Sequence, residues 1–264
     1  MQNTEISKAY NMKMVLCKYS DIILLCVLDT DLIGPNYAKG SRLIISLFDC
    51  KNGELVYEDY IKKKKGFVSA FLCVSFASSN IYVVALTTRD VTVYKYQYGE
   101  KQKQLFCGPF SYTVRPFCGA IDSSENLLLS DLRFVYKAEN YGKEKLLGTN
   151  IEFDCITIME FNSQQNLFIK DNNTVFVFDK DYKLLFEKKI PGDYLMNFCI
   201  DLWDDSFFAC TTKTISRHRP DGEHVCTKDI GTITNDLSHT CSYRGRVFFL
   251  ANNYCQKINK VLFK

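Results

Sequence analysis

Residues 162–190, NSQQNLFIKDNNTVFVFDKDYKLLFEKKI, alternate polar turns with short apolar strands. The turn NSQQN precedes LFIKD, the pair NN precedes TVFVF, and DKDYK precedes LLFEK. A further apolar strand, DCITIMEF, lies directly before this stretch. Short strands rich in β-branched and aromatic residues and bounded by polar turns are typical of antiparallel hairpins. The period therefore predicts a sheet of four short antiparallel strands.

The second strand of this period recurs six times along the chain. Each copy is a polar residue followed by an apolar run, and the copies start at Asp21, Asn80, Asn126, Asn166, Ser206 and Arg246. The last three intervals are 40 residues each, and the first two are 59 and 46. A four-strand period of about 40–45 residues is typical of propeller blades, whereas a β-sandwich or barrel has no such period. The sequence predicts an all-β, six-bladed β-propeller with four-stranded antiparallel blades and very little helix.

The two ends of the chain depart from the regular repeat. Residues 30–41 lengthen the first interval, and the last period is short and stops inside its fourth strand. Because an uncovered strand edge is usually paired or protected, we expect residues 1–12 to complete the last blade. The whole of 1–264 is then a single propeller domain.

Composition narrows the classes of function. The chain has 33 Lys and Arg against 30 Asp and Glu, so no global charge commits it to nucleic acid. Its first residues, MQNTEISKAYNMKM, lack the apolar stretch of a signal peptide, and no apolar run approaches the roughly 20 residues of a membrane span. We expect a cytoplasmic or nuclear protein, neither secreted nor membrane-bound, whose 12 cysteines are reduced thiols.

Catalytic, cofactor and metal sites have little support in the sequence. There is no C-x-x-C pair, the chain has only three histidines, and its 13 glycines are scattered singly through turns. The sequence offers one plausible acidic cluster for a site on the propeller axis, formed by Asp122, Glu160 and Asp201 near the ends of the inner strands. Asp122 also fits a local turn-capping role. We expect a non-enzyme with no cofactor, no metal and no small-molecule substrate.

Basic and aromatic residues gather in the connections of one predicted face. The run Lys62 to Lys65 joins the first two blades, and Lys170 and Tyr194 belong to the same face. His218 lies between two arginines on the opposite face, where we expect it to be exposed. The predicted partner-binding residues are Tyr37, Arg42, Lys62, Lys63, Lys64, Lys65, Arg89, Tyr112, Arg115 and Arg133.

Two segments also resemble a known class of repeat. FCGAIDSSENLLLSD followed by FVYK, and the stretch 162–190, resemble NHL-type repeats, while LFDCKNGELVYE is similar to tryptophan-aspartate repeat propellers. The resemblance implies a propeller that binds protein or RNA, and related six-bladed rings include gluconolactonase-type metal hydrolases. It carries no catalytic residue over to this chain.

These observations favour a non-catalytic scaffold or adaptor that presents propeller loops to a protein partner, as a subunit of a larger complex. An RNA-binding propeller that uses the basic loop face is the alternative. A metal-dependent hydrolase with a site on the propeller axis is the third hypothesis.

Overall fold

The computed structural model describes eleven parts of the chain, namely residues 12–19, 22–29, 42–75, 78, 80–97, 103–112, 114–147, 151–192, 194–231, 237–251 and 257–263. The strands form six antiparallel sheets in chain order, which we call blades 1 to 6. The second strand of each blade corresponds to one of the six apolar runs identified in the sequence. The prediction of an all-β, six-bladed β-propeller is confirmed.

The blades divide between two compact units. The first unit comprises Met1–Val74, Ser79–Thr113 and Asn253–Ile258, and the second comprises Ser75–Ser78, Val114–Asn252 and Asn259–Lys264. Blade 1 consists of β1 (Met12–Tyr19), β2 (Ile22–Asp29), β3 (Arg42–Asp49) and β4 (Leu55–Lys62). Blade 2 consists of β5 (Phe67–Val74), β6 (Ile81–Thr87), β7 (Asp90–Tyr96) and β8 (Lys103–Ser111).

The remaining blades follow the same order of strands. Blade 3 consists of β9 (Cys118–Ile121), β10 (Leu127–Ser130), β11 (Val135–Lys137) and β12 (Lys145–Leu147), with a 3-10 turn at Ala138–Asn140. Blade 4 consists of β13 (Ile156–Phe161), β14 (Leu167–Asp171), β15 (Thr174–Phe178) and β16 (Leu184–Lys189). Blade 5 consists of β17 (Leu195–Ile200), β18 (Phe207–Thr211), β19 (Thr214–His218) and β20 (His224–Asp229). Blade 6, as far as it is described, consists of β21 (Leu237–Tyr243), β22 (Arg246–Ala251) and β23 (Lys257–Leu262).

Burial changes systematically across a blade. Every residue of the second strands β6, β10, β14 and β18 is buried, so both faces of these strands are covered. The fourth strands β4, β16 and β20 are mostly exposed or half-buried. This difference explains why the second strands are near-continuous apolar runs, whereas the fourth strands contain many charged residues.

Each unit has its own apolar cores. In the first unit, one cluster packs residues of β2, β3 and β4 against β5 and β6, with Leu24, Leu43 and Val83 fully buried. In the second unit, Phe168, Phe198 and Phe207 pack together between blades 4 and 5, with ring centroids 5.7–6.5 Å apart for the pairs that contain Phe168. These clusters bury the faces of neighbouring blades.

The turns between the first and second strands repeat closely in the second unit. Glu125, Gln165, Asp205 and Arg244 occupy equivalent positions in blades 3 to 6, and their φ angles lie between 50° and 64°. Bonds also join the turns of successive blades: Gln165 Oε1 accepts the Ser123 N–H at 2.6 Å, and Asp205 accepts the Ser163 N–H at 3.0 Å. These side chains fix one turn against the next.

The described parts of the chain contain free cysteine thiols and almost no helix. The cysteines whose side chains the structure describes are free thiols, among them Cys118, Cys155 and Cys199. The described helical content is one short 3-10 turn, so the described part of the chain has no helix long and apolar enough to cross a membrane. Of residues 1–12, expected to complete the last blade, residues 1–11 lie outside the described residues, and Met12 begins β1 of blade 1.

Candidate interaction surface

The connection between β4 and β5 carries the four consecutive lysines. It packs against the β6–β7 turn, where the Thr88 N–H donates to the Gly66 carbonyl at 2.8 Å. Gly66 has a φ of 79°, and a Cβ there would lie 2.9 Å from Thr88 Oγ1. The close approach and the left-handed backbone both require glycine at this point. We call residues 62–65 the basic connection.

Two of the four lysines are held against blade 2. Lys64 Nζ donates to Thr92 Oγ1 at 2.9 Å, and Lys63 Nζ lies 5.2 Å from the centroid of the Phe67 ring. Lys62 and Lys65 are exposed. The backbone of the basic connection is held by β4 at one end and by the bond between Gly66 and Thr88 at the other. Its exposed lysines therefore present positive charge from an ordered backbone.

Arg89 and Tyr112 lie beside the same turn of blade 2. The Tyr112 N–H donates to the Arg89 carbonyl at 3.2 Å, and the Tyr112 hydroxyl donates to the carbonyl of Thr87. Thr87 Oγ1 in turn accepts the N–H groups of Arg89 and Asp90. The exposed Arg89 side chain thus projects from a turn that several hydrogen bonds hold in place. The structure brings Arg89, Tyr112 and the basic connection together in the first unit.

A small recess lies under the basic connection. Its lining includes Leu43, Ile61, Phe67, Ala85 and Tyr94, and its volume is about 10 Å³. That volume is room for about one water molecule. The recess is too small for a substrate, so the groups that a ligand can reach here are the exposed side chains of the surface.

The other predicted partner-binding residues are placed separately. Arg115 and Arg133 belong to the second unit, where the Arg115 guanidinium lies 5.9 Å from the Phe117 ring and the Arg133 side chain is exposed in the β10–β11 turn. Arg42 pairs with Lys62 in the β3–β4 register, but its side chain lies outside the described residues. Tyr37 also lies outside them.

Lys170 is not the solvated surface residue that its place in the sequence suggested. It is 1% exposed, and its Nζ donates to Thr157 Oγ1 at 3.0 Å. The ammonium lies 5.1 Å from the centroid of the ring of Tyr194, which the sequence analysis assigned to the same face. Burial lowers the pKa of Lys170, an effect that Cys155, Asp171 and Cys118 partly offset. The reason for its burial is that both faces of β14 are covered.

The expectation that His218 is exposed is wrong. The side chain is 1% exposed and stacks on Phe207, with ring centroids 4.8 Å apart and planes 9° apart. Its Nε2 lies 2.9 Å from Ser216 Oγ. Burial, followed by the nearby His224 and Lys188, lowers the pKa of His218 to about 4. Alternation along β19 places His218 on the same buried face as Ser216, while Arg217 points the other way.

The three acidic residues considered for an axial site have separate structural roles. Asp122 Oδ1 accepts the N–H groups of Ser124 and Asn126, as the turn-capping hypothesis predicts. Glu160 Oε2 accepts the Ile200 N–H at 3.1 Å, and burial raises the pKa of Glu160 to about 8. Asp201 is fully buried beneath two turns. Among the described residues, no three His, Cys, Asp or Glu side chains form a cluster suited to a metal ion.

Sequence reasoning missed an exposed aromatic cluster in the second unit. Trp203 is 58% exposed, and the Arg244 guanidinium carbon lies 3.9 Å from the centroid of its ring. Tyr243 meets Trp203 edge to face, with centroids 6.3 Å apart. The sequence did contain a signal for this cluster. The only tryptophan of the chain lies in a polar turn, and the equivalent turn of the next repeat contains Tyr243 and Arg244.

Comparisons with known proteins establish the fold and no closer relationship. No family model matches the chain, and no curated protein matches its sequence. The crystal structure of the Myceliophteria thermophila Swd1 β-propeller domain is similar over 98% of this chain and 98% of its own length, with a TM-score of 0.55 and 9% identity. The chain is a β-propeller. Its six sheets account for that similarity despite the low identity.

Two other solved structures have the same kind of similarity. A structure from a nidogen/laminin complex covers 83% of this chain and 90% of its own length, with a TM-score of 0.56 and 10% identity. Chaetomium thermophilum Raptor covers 96% of this chain, with a TM-score of 0.57 and 10% identity, but the propeller spans only 27% of Raptor. At these identities the similarity concerns the fold alone.

Proposed function

We propose that this propeller is a non-catalytic interaction module and that the basic connection, with Arg89, binds a protein partner. The observation that carries the proposal is a cluster of cationic side chains fixed on a rigid blade above a recess with room for about one water molecule. Among the described residues of this surface, that recess is too small to enclose a substrate. The surface suits contact with an acidic face of another macromolecule.

Pre-organisation supports this use of the surface. The connection is tied to the β6–β7 turn at Gly66 and to β7 by the Lys64–Thr92 bond, and Tyr112 is tied to Thr87 at the end of β6. Ordering a loop on binding costs free energy, and a backbone that is already ordered avoids that cost. Arginine and tyrosine are also residue types that contribute strongly to protein interfaces.

The hydrogen bonds of the acidic residues support the non-catalytic part of the proposal. Asp122, Glu160 and Asp201 each bind backbone N–H groups within the fold. A general acid, base or metal ligand needs a carboxylate that is directed at a substrate or an ion. One of the similar chains comes from a crystal structure of a nidogen/laminin complex, and this supports protein binding as a use of the fold.

The test compares two charge-reversed proteins with the parent. One variant replaces Lys62, Lys63, Lys64 and Lys65 by Glu, and the matched control replaces the exposed Lys180 and Lys183 of blade 4 by Glu. Partners recovered by affinity purification are identified by mass spectrometry, and the best of them is then prepared pure for a direct binding measurement. We expect the basic-connection variant to bind it at least about tenfold more weakly, which is about 1.4 kcal/mol.

Two outcomes would overturn this proposal. Equal affinity in the parent and in the basic-connection variant would show that another surface binds the partner. If nuclease removed the partners, and purified protein bound a labelled single-stranded RNA with an affinity that fell steeply with salt, the basic connection would be an RNA-binding surface instead.

A further inference from the structure

The exposed cluster formed by Trp203, Tyr243 and Arg244 is independent of the basic connection and lies in the second unit. We call these three residues the aromatic platform. One face of the Trp203 ring is covered by the Arg244 guanidinium at 3.9 Å, and the same guanidinium lies 5.4 Å from the Tyr243 ring. With 58% of Trp203 exposed, a large apolar surface remains open to solvent. Tryptophan, tyrosine and arginine are the residue types most enriched at binding hot spots.

The buried Asp201 carboxylate holds the backbone of the two turns that carry the aromatic platform. The Asp201 side chain is 0% exposed, its Oδ1 accepts the N–H groups of Trp203 at 2.8 Å and Arg244 at 2.9 Å, and its Oδ2 accepts that of Gly245 at 2.8 Å. The first of these bonds lies within the blade 5 turn, and the other two come from the blade 6 turn. One buried carboxylate therefore fixes both turns that carry the platform, so the rings are ordered before any partner arrives.

Gly245 ties the same turn to the end of the chain. Its carbonyl accepts the Phe263 N–H at 2.7 Å, and a Cβ at Gly245 would lie 2.5 Å from the Phe263 carbonyl oxygen. Its φ is 68°, and that of Arg244 is 50°. Two successive residues of this turn are therefore in the left-handed region, and from this turn the Arg244 side chain reaches the Trp203 ring.

Charge identifies the chemistry of the partner. The acidic residues of the Trp203 turn already have partners, since Asp204 pairs with Arg217 and Asp205 binds the Ser163 N–H and hydroxyl. Across the described residues, no carboxylate lies within ion-pair distance of Arg244. A guanidinium that stacks by its face leaves its N–H edge available for a carboxylate, and this geometry favours bidentate binding. Arg246, also exposed, adds a second positive charge two residues along.

We propose that the aromatic platform binds an acidic peptide segment of a partner protein. A carboxylate of the peptide pairs with the Arg244 guanidinium, and a neighbouring apolar side chain covers the open surface of Trp203. A phosphate backbone fits less well, because affinity for nucleic acid depends on many cations that neutralise successive phosphates. Near this turn Arg217 is already paired with Asp204, which reduces the positive charge available.

Trp203 supplies the readout, because it is the only tryptophan in the chain. The probes are synthetic peptides in which one Phe or Leu is flanked by Glu or Asp, and matched peptides with Gln or Asn at the flanking positions. We expect the acidic peptides to change the Trp203 fluorescence saturably, with an affinity that falls as salt rises. The neutral peptides should bind at least about tenfold more weakly, which is about 1.4 kcal/mol.

Variants that keep Trp203 test the assigned contact. Arg244→Asn removes the guanidinium while supplying a residue that tolerates the left-handed φ, and far-ultraviolet circular dichroism checks that the fold is retained. We expect it to weaken acidic-peptide binding about tenfold or more. The control Arg219→Gln removes an exposed arginine that is paired with Glu223 and should leave the affinity unchanged.

Other outcomes overturn the inference. Equal responses to acidic and neutral peptides, or unchanged affinity in Arg244→Asn, would contradict the proposed contact between a peptide carboxylate and Arg244. A response to single-stranded RNA with none to any peptide would assign the platform to nucleic acid. The Lys62–Lys65 charge reversal should leave peptide binding unchanged, so failure of the basic-connection proposal and failure of this one are distinguished.

Discussion

The basic connection of the first unit and the buried polar groups of the second unit place the same kinds of residue in opposite environments. Lys62 and Lys65 are exposed to solvent, whereas Lys170 is 1% exposed and donates to Thr157. Likewise, Glu223 forms an exposed pair with Arg219, whereas Asp201 is buried and accepts backbone N–H groups. The comparison shows that burial and available partners, and not residue type, decide whether a charged side chain faces solvent or contributes hydrogen bonds inside the fold.

The largest expected effect is at Asp201. Asp201→Ala leaves the buried Gly245 N–H and the partly buried Trp203 and Arg244 N–H groups without their acceptor. At about 1–2 kcal/mol for each lost bond, we expect the free energy of unfolding to fall by about 3–6 kcal/mol. Urea unfolding measures it. The control Glu223→Ala removes an exposed ion pair and should cost no more than about 1 kcal/mol. Similar losses in the two variants would contradict the structural role assigned to Asp201.

A smaller effect is expected at Lys170. Lys170→Ala removes a buried aliphatic stem and should lower the free energy of unfolding by about 2–4 kcal/mol, whereas Lys65→Ala should change it by less than about 0.5 kcal/mol. Lys170→Met keeps most of the volume and removes the charge, so its cost should be below about 1.5 kcal/mol. If Lys170→Ala were as mild as Lys65→Ala, the contrast between buried and solvated lysines would fail.

The smallest of the three effects is the pH dependence that His218 confers. Its folded pKa is about 4, below the ordinary value near 6.5, so the unfolded chain binds the proton first as pH falls. Stability is therefore complete above about pH 6.5 and is lost as pH falls towards 4. The loss attributable to His218 is about 2 kcal/mol between pH 7 and 5.

Urea unfolding of the parent and of His218→Phe across this range measures the contribution of His218. The variant keeps an aromatic ring against Phe207 and has no imidazole to titrate, so its stability should decline less between pH 7 and 5. Parallel pH profiles for the two proteins would show that the imidazole does not titrate in this window.

Much of the fold was predictable from local patterns. The apolar runs after Asn80, Asn126, Asn166 and Ser206 became β6, β10, β14 and β18, because a strand covered on both faces must be apolar along its whole length. The turn-capping role of Asp122 was also predictable, since it depends on residues two and four positions along the chain. The grouping of Arg89 and Tyr112 with the basic connection followed from the strand order.

Other features depended on side-chain contacts between neighbouring strands or between blades. The sequence motif Arg-His-Arg suggested an exposed histidine, but His218 shares the buried face of β19 with Ser216 and stacks on Phe207 from the neighbouring strand. The aromatic platform was missed because Trp203 and Arg244 lie in turns of successive blades, and nothing local to either turn indicates that they meet.

The sequence by itself determined the number of blades, the order of strands within them and the capping of individual turns, because these depend on interactions between residues close together in the chain. Only the tertiary structure decided which charges are buried, which acids hold neighbouring turns and which aromatic and cationic side chains share a surface. Those outcomes depend on how residues from successive blades approach one another, and the free energy of a charged group is set by the solvent and partners it meets there.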